Sequence, residues 1–255
     1  MTDSRDSDTS RTIAGYDALA TAESDDLEYS PWGDSRYQEH YVWPAVRPLL
    51  PDVDGARVLD AGCGVGDHVG WFLDQGAAVV GVDGSETAIE TARDRYGDSA
   101  SATFHVADLT DPLSFAADDG FDLVFCNLVL DHIENWTPVF AEFERTLRPD
   151  GVVVLTTIHP LRRYRRHRDE LTSYYETEAY VGCWGDTDAK LFTYHRPVGD
   201  VLGVLDETGF VLEEFLEAKP QPSYEAHNPE RYERAMQEPD TLCVRARTGV
   251  EREGD

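Results

Sequence analysis

Lysine is nearly absent from this chain of 255 residues, which has only Lys190 and Lys219. Acidic side chains dominate instead: the chain has 50 Asp and Glu but only 22 Lys and Arg, which gives a formal net charge of -28. Such self-repulsion destabilises a compact fold in dilute buffer, whereas about 1 M salt shortens the screening length to roughly 3 Å. The composition therefore predicts a protein adapted to a salt-rich, halophilic cytosol, and an ordinary acidic protein is the alternative.

Long apolar stretches and cysteines at metal-ligand spacing are also missing. No apolar run approaches the ~20 residues that would span a bilayer. The polar start MTDSRDSDTS lacks the basic and apolar regions of a signal peptide. The cysteines lie far apart, mostly in or beside predicted buried strands (Cys63, Cys126, Cys183, Cys243). We therefore expect a cytoplasmic protein with reduced core thiols, no membrane contact and no bound metal.

A glycine-rich turn is the most informative feature that is present. An apolar run ends near Leu59, and apolar residues then recur at helical spacing, so the glycines between them occupy a strand-to-helix turn (Gly62, Gly64, Gly66). Glycine permits positive φ and close approach of a ligand, while the first N–H groups of a helix are free donors. The next apolar run ends at Asp83, whose carboxylate can accept both hydroxyl protons of a ribose. The layout predicts a cofactor that contains a ribose.

The spacing of the glycines separates two cofactor families that share this layout. A nicotinamide or flavin fingerprint, G-x-G-x-x-G, needs glycine at position 67, where this chain has Asp67. The pattern here is D-x-G-x-G-x-G from Asp60. With it the chain resembles the class I S-adenosylmethionine-dependent methyltransferases of the methyltransferase type 11 domain family, as a haloarchaeal-like acidic member. That cofactor carries an ammonium and a sulfonium and no phosphate, which suits nearby acids; an NAD-dependent oxidoreductase is the alternative.

The resemblance spans residues 37–248 and implies a Rossmann-like, doubly wound α/β fold. Segments 104–109, 121–127 and 152–157 resemble the third to fifth strands, and 210–216 and 241–246 resemble the final pair. The expected sheet is seven-stranded and mostly parallel, with the last strand antiparallel. N-terminal helices and an insertion would form a substrate cap.

We expect one methyltransferase domain at residues 11–248, between disordered tails at 1–10 and 249–255. It would consist of an N-terminal helical cap, a cofactor-binding core, a cap insertion and a C-terminal helix with the strand pair (11–50, 56–158, 159–197, 198–248). The long connections 160–196 and 218–239 are expected to belong to the cap, because loops of that length are usually functional.

The resemblance also assigns the cofactor contacts. It implies that Asp60 and the three glycines hold the methionine end, that Asp83 and Gly84 hold the ribose, and that Asn127 lies near the sulfonium. By the same resemblance, Asp108 and Leu109 form the adenine slot. The expected cofactor is S-adenosylmethionine.

Aromatic residues of the cap are candidates for the substrate pocket. Similar methyltransferases close N-terminal helices over the cofactor, which makes Tyr16, Tyr37 and Tyr41 pocket candidates. The insertion adds Trp184 and His195 by resemblance to a subgroup that acts on small molecules. The alternative for each tyrosine is that it packs its helix onto the domain, as aromatic residues mostly do.

Methyl transfer needs positioning more than it needs side-chain chemistry, because the sulfonium is already activated. An oxygen or nitrogen acceptor can still require proton removal. His132 and His159 follow the fourth and fifth predicted strands, where α/β sheets bind ligands, and histidine exchanges a proton near neutral pH. Both are candidate bases, and the alternative is that each is a hydrogen-bonded structural histidine with no base required.

One basic cluster interrupts the acidic sequence (Arg162, Arg163, Arg165, Arg166, Arg168). Phosphate binding and RNA methylation are one interpretation, but phosphate contacts weaken steeply in salt. The favoured interpretation is a solvated face paired with acids such as Asp169, Glu170 and Glu176. We expect a methyltransferase acting on a small molecule, with no nucleic-acid partner. The alternatives are an S-adenosylmethionine-sensing protein without catalysis, an RNA methyltransferase or an NAD-dependent oxidoreductase, and the sequence leaves the oligomeric state open.

Overall fold

The computed structural model describes residues 5–21, 35–183 and 190–249 of the chain. Its strands are β1 (Arg57–Ala61), β2 (Ala78–Asp83), β3 (Ala102–Val106), β4 (Phe121–Asn127), β5 (Leu147–Ile158), β6 (Glu178–Cys183), β7 (Lys190–His195), β8 (Phe210–Glu217) and β9 (Thr241–Thr248). Its α-helices are α1 (Arg5–Thr21), α2 (Trp43–Val46), α3 (Val69–Asp74), α4 (Glu86–Tyr96), α5 (Thr137–Thr146), α6 (Pro160–Arg166), α7 (Val198–Glu207) and α8 (Pro229–Ala235).

Seven of the strands form one sheet in the order β3-β2-β1-β4-β5-β9-β8. Strands β1 to β5 are parallel, and β9 runs antiparallel to both of its neighbours, β5 and β8. The order reverses between β1 and β4, which is where an open α/β sheet binds its ligand. The predicted fold is confirmed, because the sheet is doubly wound, Rossmann-like and mostly parallel with its last strand antiparallel.

Helices cover both faces of the sheet, so its central strands are apolar on both sides. On one face, α5 and α7 contribute Phe140, Phe143 and Val204 to a core that includes Val124 of β4. On the other face, α3, α4 and α8 pack against the strands together with the helical residues 38–49. The edge strand β8 is exposed along nearly all its length. This two-sided core fixes the strands whose carboxyl ends carry the site.

The cap consists of α1, α6 and the two-stranded hairpin of β6 and β7. Helix α1 begins at Arg5, so the expected disorder is corrected for residues 5–10, while residues 1–4 lie outside the described residues. The helix is fastened to the hairpin by Thr12, whose hydroxyl accepts a hydrogen bond from the backbone N–H of Phe192 at 3.1 Å. It also packs closely on the end of β2, because a Cβ on Gly84 would lie 2.9 Å from Ile13.

The connection 218–239 is ordered by a 3-10 turn at Pro222–Ala226 and by α8. It packs against the helical residues 38–42, where the N–H of Gln221 donates to the carbonyl of His40 at 2.8 Å. This connection therefore supports the helical segment before β1. Among the described residues, no helix is both long and apolar enough for a membrane span.

Candidate cofactor and acceptor site

An open cavity with about 1020 Å³ of empty space lies at the carboxyl ends of β1, β2 and β4. Its floor is the glycine turn after β1, and its roof comes from Thr12, Ile13 and Tyr16 of α1. Eight residues that the resemblance assigned to the cofactor line it (Asp60, Gly62, Gly64, Asp83, Gly84, Asp108, Leu109, Asn127). The fold thus brings residues that are up to 121 positions apart, from Thr12 to Ile133, around one space.

Positive backbone φ angles shape the glycine turn. Gly62 has φ of 78°, and a Cβ there would lie 2.2 Å from a methyl carbon of Val129. Gly64 has φ of 53°, and its N–H donates to the Asp83 carboxylate at 2.9 Å. The N–H groups of Gly62 and Cys63 both donate to the carbonyl of Val82, at 2.7 and 3.0 Å. Hydrogen bonds therefore hold the turn against the end of β2. Its backbone is in the left-handed region at the two glycines that line the cavity.

Gly66 does not line the cavity, unlike the other two glycines of the turn. Its φ is 83°, and a Cβ there would lie 3.1 Å from the ring of Tyr96. The close approach places α4 against the turn, so the structure gives Gly66 a packing role beneath the cavity.

Asp60 is a buried carboxylate at the cavity, and its Oδ2 has no hydrogen-bond partner among the described atoms. Burial, together with the nearby negative charges of Asp83 and Asp67, raises the pKa of Asp60 to about 8. A buried carboxyl group without a partner is costly, and a cation beside it would favour its charged form. The three acids together make this part of the cavity suitable for a positively charged group.

Asp83, at the end of β2, holds the turn together through both of its oxygens. Oδ2 accepts from the N–H of Gly64 at 2.9 Å, and Oδ1 accepts from the N–H of Ser85 at 2.8 Å. Burial raises the pKa of Asp83, while these backbone hydrogen bonds work in the opposite direction. A carboxylate has about four acceptor sites, so Asp83 can hold the turn and still accept from a ligand hydroxyl.

Asp108 and Leu109 lie just beyond β3, on the wall of the cavity next to Ala107. Oδ1 of Asp108 accepts from both the N–H and the hydroxyl of Thr110, each at 2.8 Å. Leu109 is buried and provides an apolar surface. An acceptor oxygen beside an apolar wall suits a flat base with an exocyclic amino group.

Asn127 ends β4 and is held from two sides. Its Oδ1 accepts from the hydroxyl of Thr156 at 2.5 Å, and its Nδ2 donates to Oε1 of Gln38 at 3.3 Å. Gln38 also lines the cavity. This amide pair connects the helical segment before β1 to the sheet at the centre of the site. Gln38 belongs to no motif or periodic pattern, so sequence analysis did not identify it.

Tyr16 and His132 form a hydrogen-bonded pair on the cavity wall. The Tyr16 hydroxyl lies 2.9 Å from Nε2 of His132, and Nδ1 of His132 lies 2.8 Å from the carbonyl oxygen of Phe192. A carbonyl only accepts, so Nδ1 carries the proton, and in the neutral ring Nε2 accepts from Tyr16. Burial lowers the pKa of His132 and raises the pKa of Tyr16. The imidazole is therefore neutral at pH 7 and able to take up a proton.

Tyr37 and Tyr41 are buried in the core and do not line the cavity. The Tyr37 hydroxyl hydrogen-bonds the side chain of Thr241. The Tyr41 hydroxyl donates to the carbonyl of Ala218 at 3.1 Å and accepts from the N–H of Asp240 at 3.0 Å. Tyr37 fastens the segment before β1 to β9, and Tyr41 fastens it to the ends of the connection between β8 and β9. These positions correct the assignment of both to the substrate pocket and agree with the packing alternative.

Two further histidines lie away from the cavity. His159 caps α6, since its Nδ1 accepts from the N–H of Leu161 at 3.2 Å, and its Nε2 lies 3.1 Å from Glu217. His195, the last residue of β7, is fully buried, with Nε2 2.8 Å from the carbonyl of Tyr174. Both positions argue for structural histidines, which corrects the suggestion of a base at His159 and of a pocket residue at His195. Trp184, the remaining pocket candidate, lies outside the described residues.

A buried ion pair supports the loop that carries His132. Asp131 accepts from the hydroxyl of Thr157 at 2.6 Å and from the N–H of Ile158 at 3.1 Å. Its Oδ2 also lies 3.1 Å from the guanidinium of Arg163 on α6. The pair therefore ties the loop after β4 to β5 and to the cap.

The three cysteines whose side chains are described, Cys63, Cys126 and Cys243, are buried free thiols, as the sequence predicted. Within the described part of the chain, no group of three or more His, Cys, Asp or Glu residues is placed to hold a metal ion.

The chain is similar to known proteins in sequence and in structure. Residues 59–155 match a family model described as a methyltransferase domain. A solved S-adenosylmethionine-dependent methyltransferase from Mesorhizobium loti is 29% identical, with a TM-score of 0.65, and the alignment covers 80% of this chain and 96% of that one.

Relatives by sequence include proteins with different acceptors. An uncharacterized protein of Haemophilus influenzae is 25% identical over 80% of this chain and 85% of its own length. A ubiquinone biosynthesis O-methyltransferase of Neisseria meningitidis is 33% identical over 42% of this chain and 46% of its own. A tRNA U34 carboxymethyltransferase of Photobacterium profundum is 32% identical over 49% of this chain and 39% of its own. The chain thus spans less than half the length of these last two relatives.

The match covers β1 to β5 and includes the glycine turn, Asp83, Asp108 and Asn127. It agrees with the cofactor predicted from the sequence, S-adenosylmethionine. Residues 59–155 therefore resemble a methyltransferase domain, and the described chain has the Rossmann-like fold of S-adenosylmethionine-dependent methyltransferases.

Proposed function

We propose that this protein transfers a methyl group from S-adenosylmethionine to a small-molecule acceptor. The observation that carries the proposal is the composition of one cavity. A buried, unpartnered carboxylate, Asp60, lies on one part of its wall, and the hydrogen-bonded pair of Tyr16 and His132 lies on another. The first suits a cationic cofactor, and the second suits an acceptor that loses a proton.

The residues present fit the cofactor. The free oxygen of Asp60 and the acids around it suit an ammonium and a sulfonium, and the left-handed glycines allow a ligand to approach the backbone. Asp60, Gly62 and Gly64 would hold the methionine end, Asp83 with Gly84 the ribose, and Asp108 with Leu109 the adenine. When bound, S-adenosylmethionine supplies a methyl group already activated by its sulfonium.

The acceptor side requires orientation, exclusion of water and a path for one proton. The Tyr16 proton points to Nε2 of His132, which leaves lone pairs on the Tyr16 oxygen for an acceptor hydroxyl or amine. As the acceptor forms its new bond, its proton passes to the Tyr16 oxygen and the Tyr16 proton passes to Nε2. The Phe192 carbonyl then stabilises the imidazolium through Nδ1. A positioned acid–base pair of this kind contributes about 10²–10⁴-fold to a rate.

Two observations support a small acceptor over RNA. The site is roofed by α1, which contacts both the β6–β7 hairpin and Gly84, so an acceptor must fit beneath a helix. The chain also carries a formal net charge of -28, which repels a polyanion approaching from outside.

Calorimetry on an Asp83→Ala variant tests the cofactor assignment. The substitution removes the acceptor for ribose hydroxyls and the support of the Gly64 N–H, so S-adenosylmethionine should bind several-fold more weakly or worse. Asp94→Ala, which removes an exposed carboxylate on α4, is the matched control and should leave affinity unchanged. Equal affinity for Asp83→Ala and wild type, or binding of NAD in place of S-adenosylmethionine, would refute the assignment.

Catalysis is tested by methyl transfer from radiolabelled S-adenosylmethionine into an extract, fractionated into small molecules, RNA and protein. We expect label in the small-molecule fraction, and less of it with His132→Ala. Label only in RNA would favour the RNA alternative, and tight cofactor binding with no label in any fraction would favour a sensor.

A further inference from the structure

The arginines of residues 162–168 lie on α6 and the turn that follows it, away from the cavity lining. Among the described residues, no ion pair joins them to the acids expected to neutralise them (Asp169, Glu170, Glu176). Glu170 pairs with His167 instead, at 2.9 Å. The observed partners are Asp131 for Arg163, Asp240 for Arg162 and Glu238 for Arg165, so the cluster faces the connection that carries α8.

Three guanidinium groups share one carboxylate at this place. Asp240 is fully buried; its Oδ1 lies 2.9 Å from Nε of Arg162, and its Oδ2 lies 3.4 Å from Nε of Arg231 and 3.6 Å from Nη2 of Arg234. Three guanidinium groups therefore converge on one buried carboxylate, in a chain with few cations.

A fourth arginine, Arg166, lies beside this group. It follows Arg162 by one turn of α6, so the two share a face of the helix. Arg166 is exposed, and within the described part of the chain it forms no ion pair. Partial burial of its guanidinium and the positive charges of Arg162, Arg231, Arg234 and Arg163 lower the pKa of Arg166. Positive potential thus accumulates at Arg166.

The geometry of the cluster is fixed before any ligand arrives. The guanidinium of Arg231 lies 3.8 Å from the ring centroid of Tyr37, which is buried. Arg162 is held by Asp240 with only 13% of its side chain exposed, whereas the Arg234 side chain is 47% exposed. The inner arginines are therefore anchored, and the outer pair, Arg166 and Arg234, is open to solvent.

We propose that these four arginines (Arg162, Arg166, Arg231, Arg234), the arginine site, bind a compact oxyanion, namely a phosphate or pyrophosphate group. Guanidinium groups are planar forks that donate two parallel hydrogen bonds to phosphate oxygens. Binding would place negative charge where these guanidinium groups converge.

The surroundings of the arginine site favour a compact ligand over a nucleic acid. Acidic residues lie beside the arginines in α8, at Glu230 and Glu233, and Glu238 already pairs with Arg165. A long polyanion that reached beyond the arginines would meet these acids and the general negative field. A ligand with one or two phosphates avoids them.

The test is titration of the full-length protein with inorganic pyrophosphate by calorimetry at about 0.1 M salt. We expect saturable 1:1 binding to wild type, and a Kd raised about tenfold or more in Arg166→Gln, because a charge-assisted contact is lost. Arg148→Gln is the control, since it removes one positive charge at the opposite end of β5. Its Kd should match wild type.

Arg234→Gln provides a second variant, because Asp240 keeps Arg162 and Arg231 when Arg234 is lost. Absence of saturable binding, or equal Kd values for Arg166→Gln and Arg148→Gln, overturns the proposal. A single-stranded RNA of about 20 nucleotides that binds more tightly than pyrophosphate through the same arginines overturns the compact ligand.

Two sources of the phosphate are separated by inhibition of methyl transfer. If the methyl acceptor carries the phosphate, pyrophosphate competes with the acceptor. It then raises the KM for the acceptor in wild type but not in Arg166→Gln. Where the phosphate ligand is a separate small molecule, pyrophosphate leaves the acceptor KM unchanged while it still binds in the calorimeter.

Discussion

The hydroxyl of Tyr16 on α1 lies 2.9 Å from Nε2 of His132, which follows β4, so a cap helix and the sheet share one hydrogen bond at the cavity. The second ring nitrogen of His132 is occupied by the Phe192 carbonyl at 2.8 Å, and this fixes which nitrogen faces Tyr16. The pair can therefore accept a proton only from the cavity side.

Removal of either member of the pair should slow methyl transfer with little effect on cofactor affinity. We expect His132→Ala to lower kcat by about 10²-fold or more, because the base is lost, and Tyr16→Phe to lower it similarly. Steady-state kinetics and calorimetry with S-adenosylmethionine measure the two effects separately. Tyr175→Phe is the control, since Tyr175 is 81% exposed. A kcat for Tyr16→Phe equal to that of Tyr175→Phe would exclude the proton path.

The acid side of the pH profile should lie below the ordinary histidine range. Burial lowers the pKa of His132 below 6.5, so the neutral base persists into mildly acidic solution. At saturating cofactor, kcat should stay flat from pH 8 to about 6.5 and fall only below that value. The fall should disappear in His132→Ala, whereas an acid limb that remains there would show that another group controls it.

Cofactor affinity should depend on pH in a different range because of Asp60. Its pKa is raised to about 8, and a cationic ligand favours the charged carboxylate, so binding below pH 8 releases a proton. Affinity should then rise up to about tenfold per pH unit between pH 6 and 8. The side chain of Asp60→Asn cannot ionise. The difference between the affinity–pH curves of this variant and of wild type therefore separates the ionisation of Asp60 from that of the cofactor's amino group. Parallel curves would argue against Asp60 as the contact.

The ionisation of Asp60 should also affect the stability of the ligand-free protein. The folded pKa lies above the unfolded value of about 3.9, so the contribution of Asp60 to the free energy of unfolding is fully present below pH 4. It is lost as pH rises to about 8. In chemical denaturation at pH 8, ligand-free Asp60→Asn should therefore be more stable than wild type, although it binds the cofactor more weakly. A less stable Asp60→Asn would contradict this.

A Cβ at position 62 should damage the glycine turn in two separable ways. Gly62→Ala places a Cβ 2.2 Å from Val129 and forces φ of 78° on alanine. We expect a loss of about 2–4 kcal/mol in the free energy of unfolding, from overpacking and left-handed strain together. Denaturant unfolding of Gly62→Ala, alone and with Val129→Ala, measures the two parts. The double variant should recover only part of the overpacking and none of the left-handed strain, because the Cβ of residue 129 still lies 2.9 Å from the new Cβ.

Gly203→Ala provides the comparison for that experiment. Gly203 lies inside α7, and no atom lies within 4 Å of a Cβ there, so alanine should stabilise the helix by about 0.5–1 kcal/mol. Destabilisation of both variants to the same extent would mean that alanine harms this protein irrespective of backbone geometry.

Local sequence patterns were sufficient to predict the central sheet and the cavity floor. The glycine turn, Asp83 and Asp108 each follow a strand immediately, so their spacing alone places them at one edge of a parallel sheet. The roof could not be predicted in this way, because it depends on contacts between distant segments. Thr12 reaches Phe192 across 180 positions, and Gln38 reaches Asn127 across 89. Neither contact has a periodic pattern that would reveal it.

Three tyrosines show most clearly what sequence patterns could not predict. Tyr16, Tyr37 and Tyr41 have the same chemistry and lie in similar amphipathic surroundings, yet only Tyr16 lines the cavity. The other two hydroxyls hydrogen-bond Thr241 of β9, Asp240 just before β9 and Ala218 just after β8. The position of β9 between β5 and β8 decides this, and it is a property of the whole sheet that no single segment encodes.

Salt should raise the thermal stability of the protein. With a net charge of -28, repulsion within the folded chain weakens as salt screens it. We expect the melting midpoint to increase by roughly 5–10 °C from 0.1 to 2 M KCl, which corresponds to a few kcal/mol for a chain of this size. A midpoint that does not rise would identify an ordinary acidic protein.

The contacts made by Phe192 have a consequence for the evolution of new specificities. Thr12 and His132 both use the main chain of this residue, through its N–H and its carbonyl oxygen. Any amino acid except proline offers these two groups. Side chains of the hairpin can therefore diverge, and a new acceptor can be selected, while the histidine stays oriented by a backbone that substitution does not change.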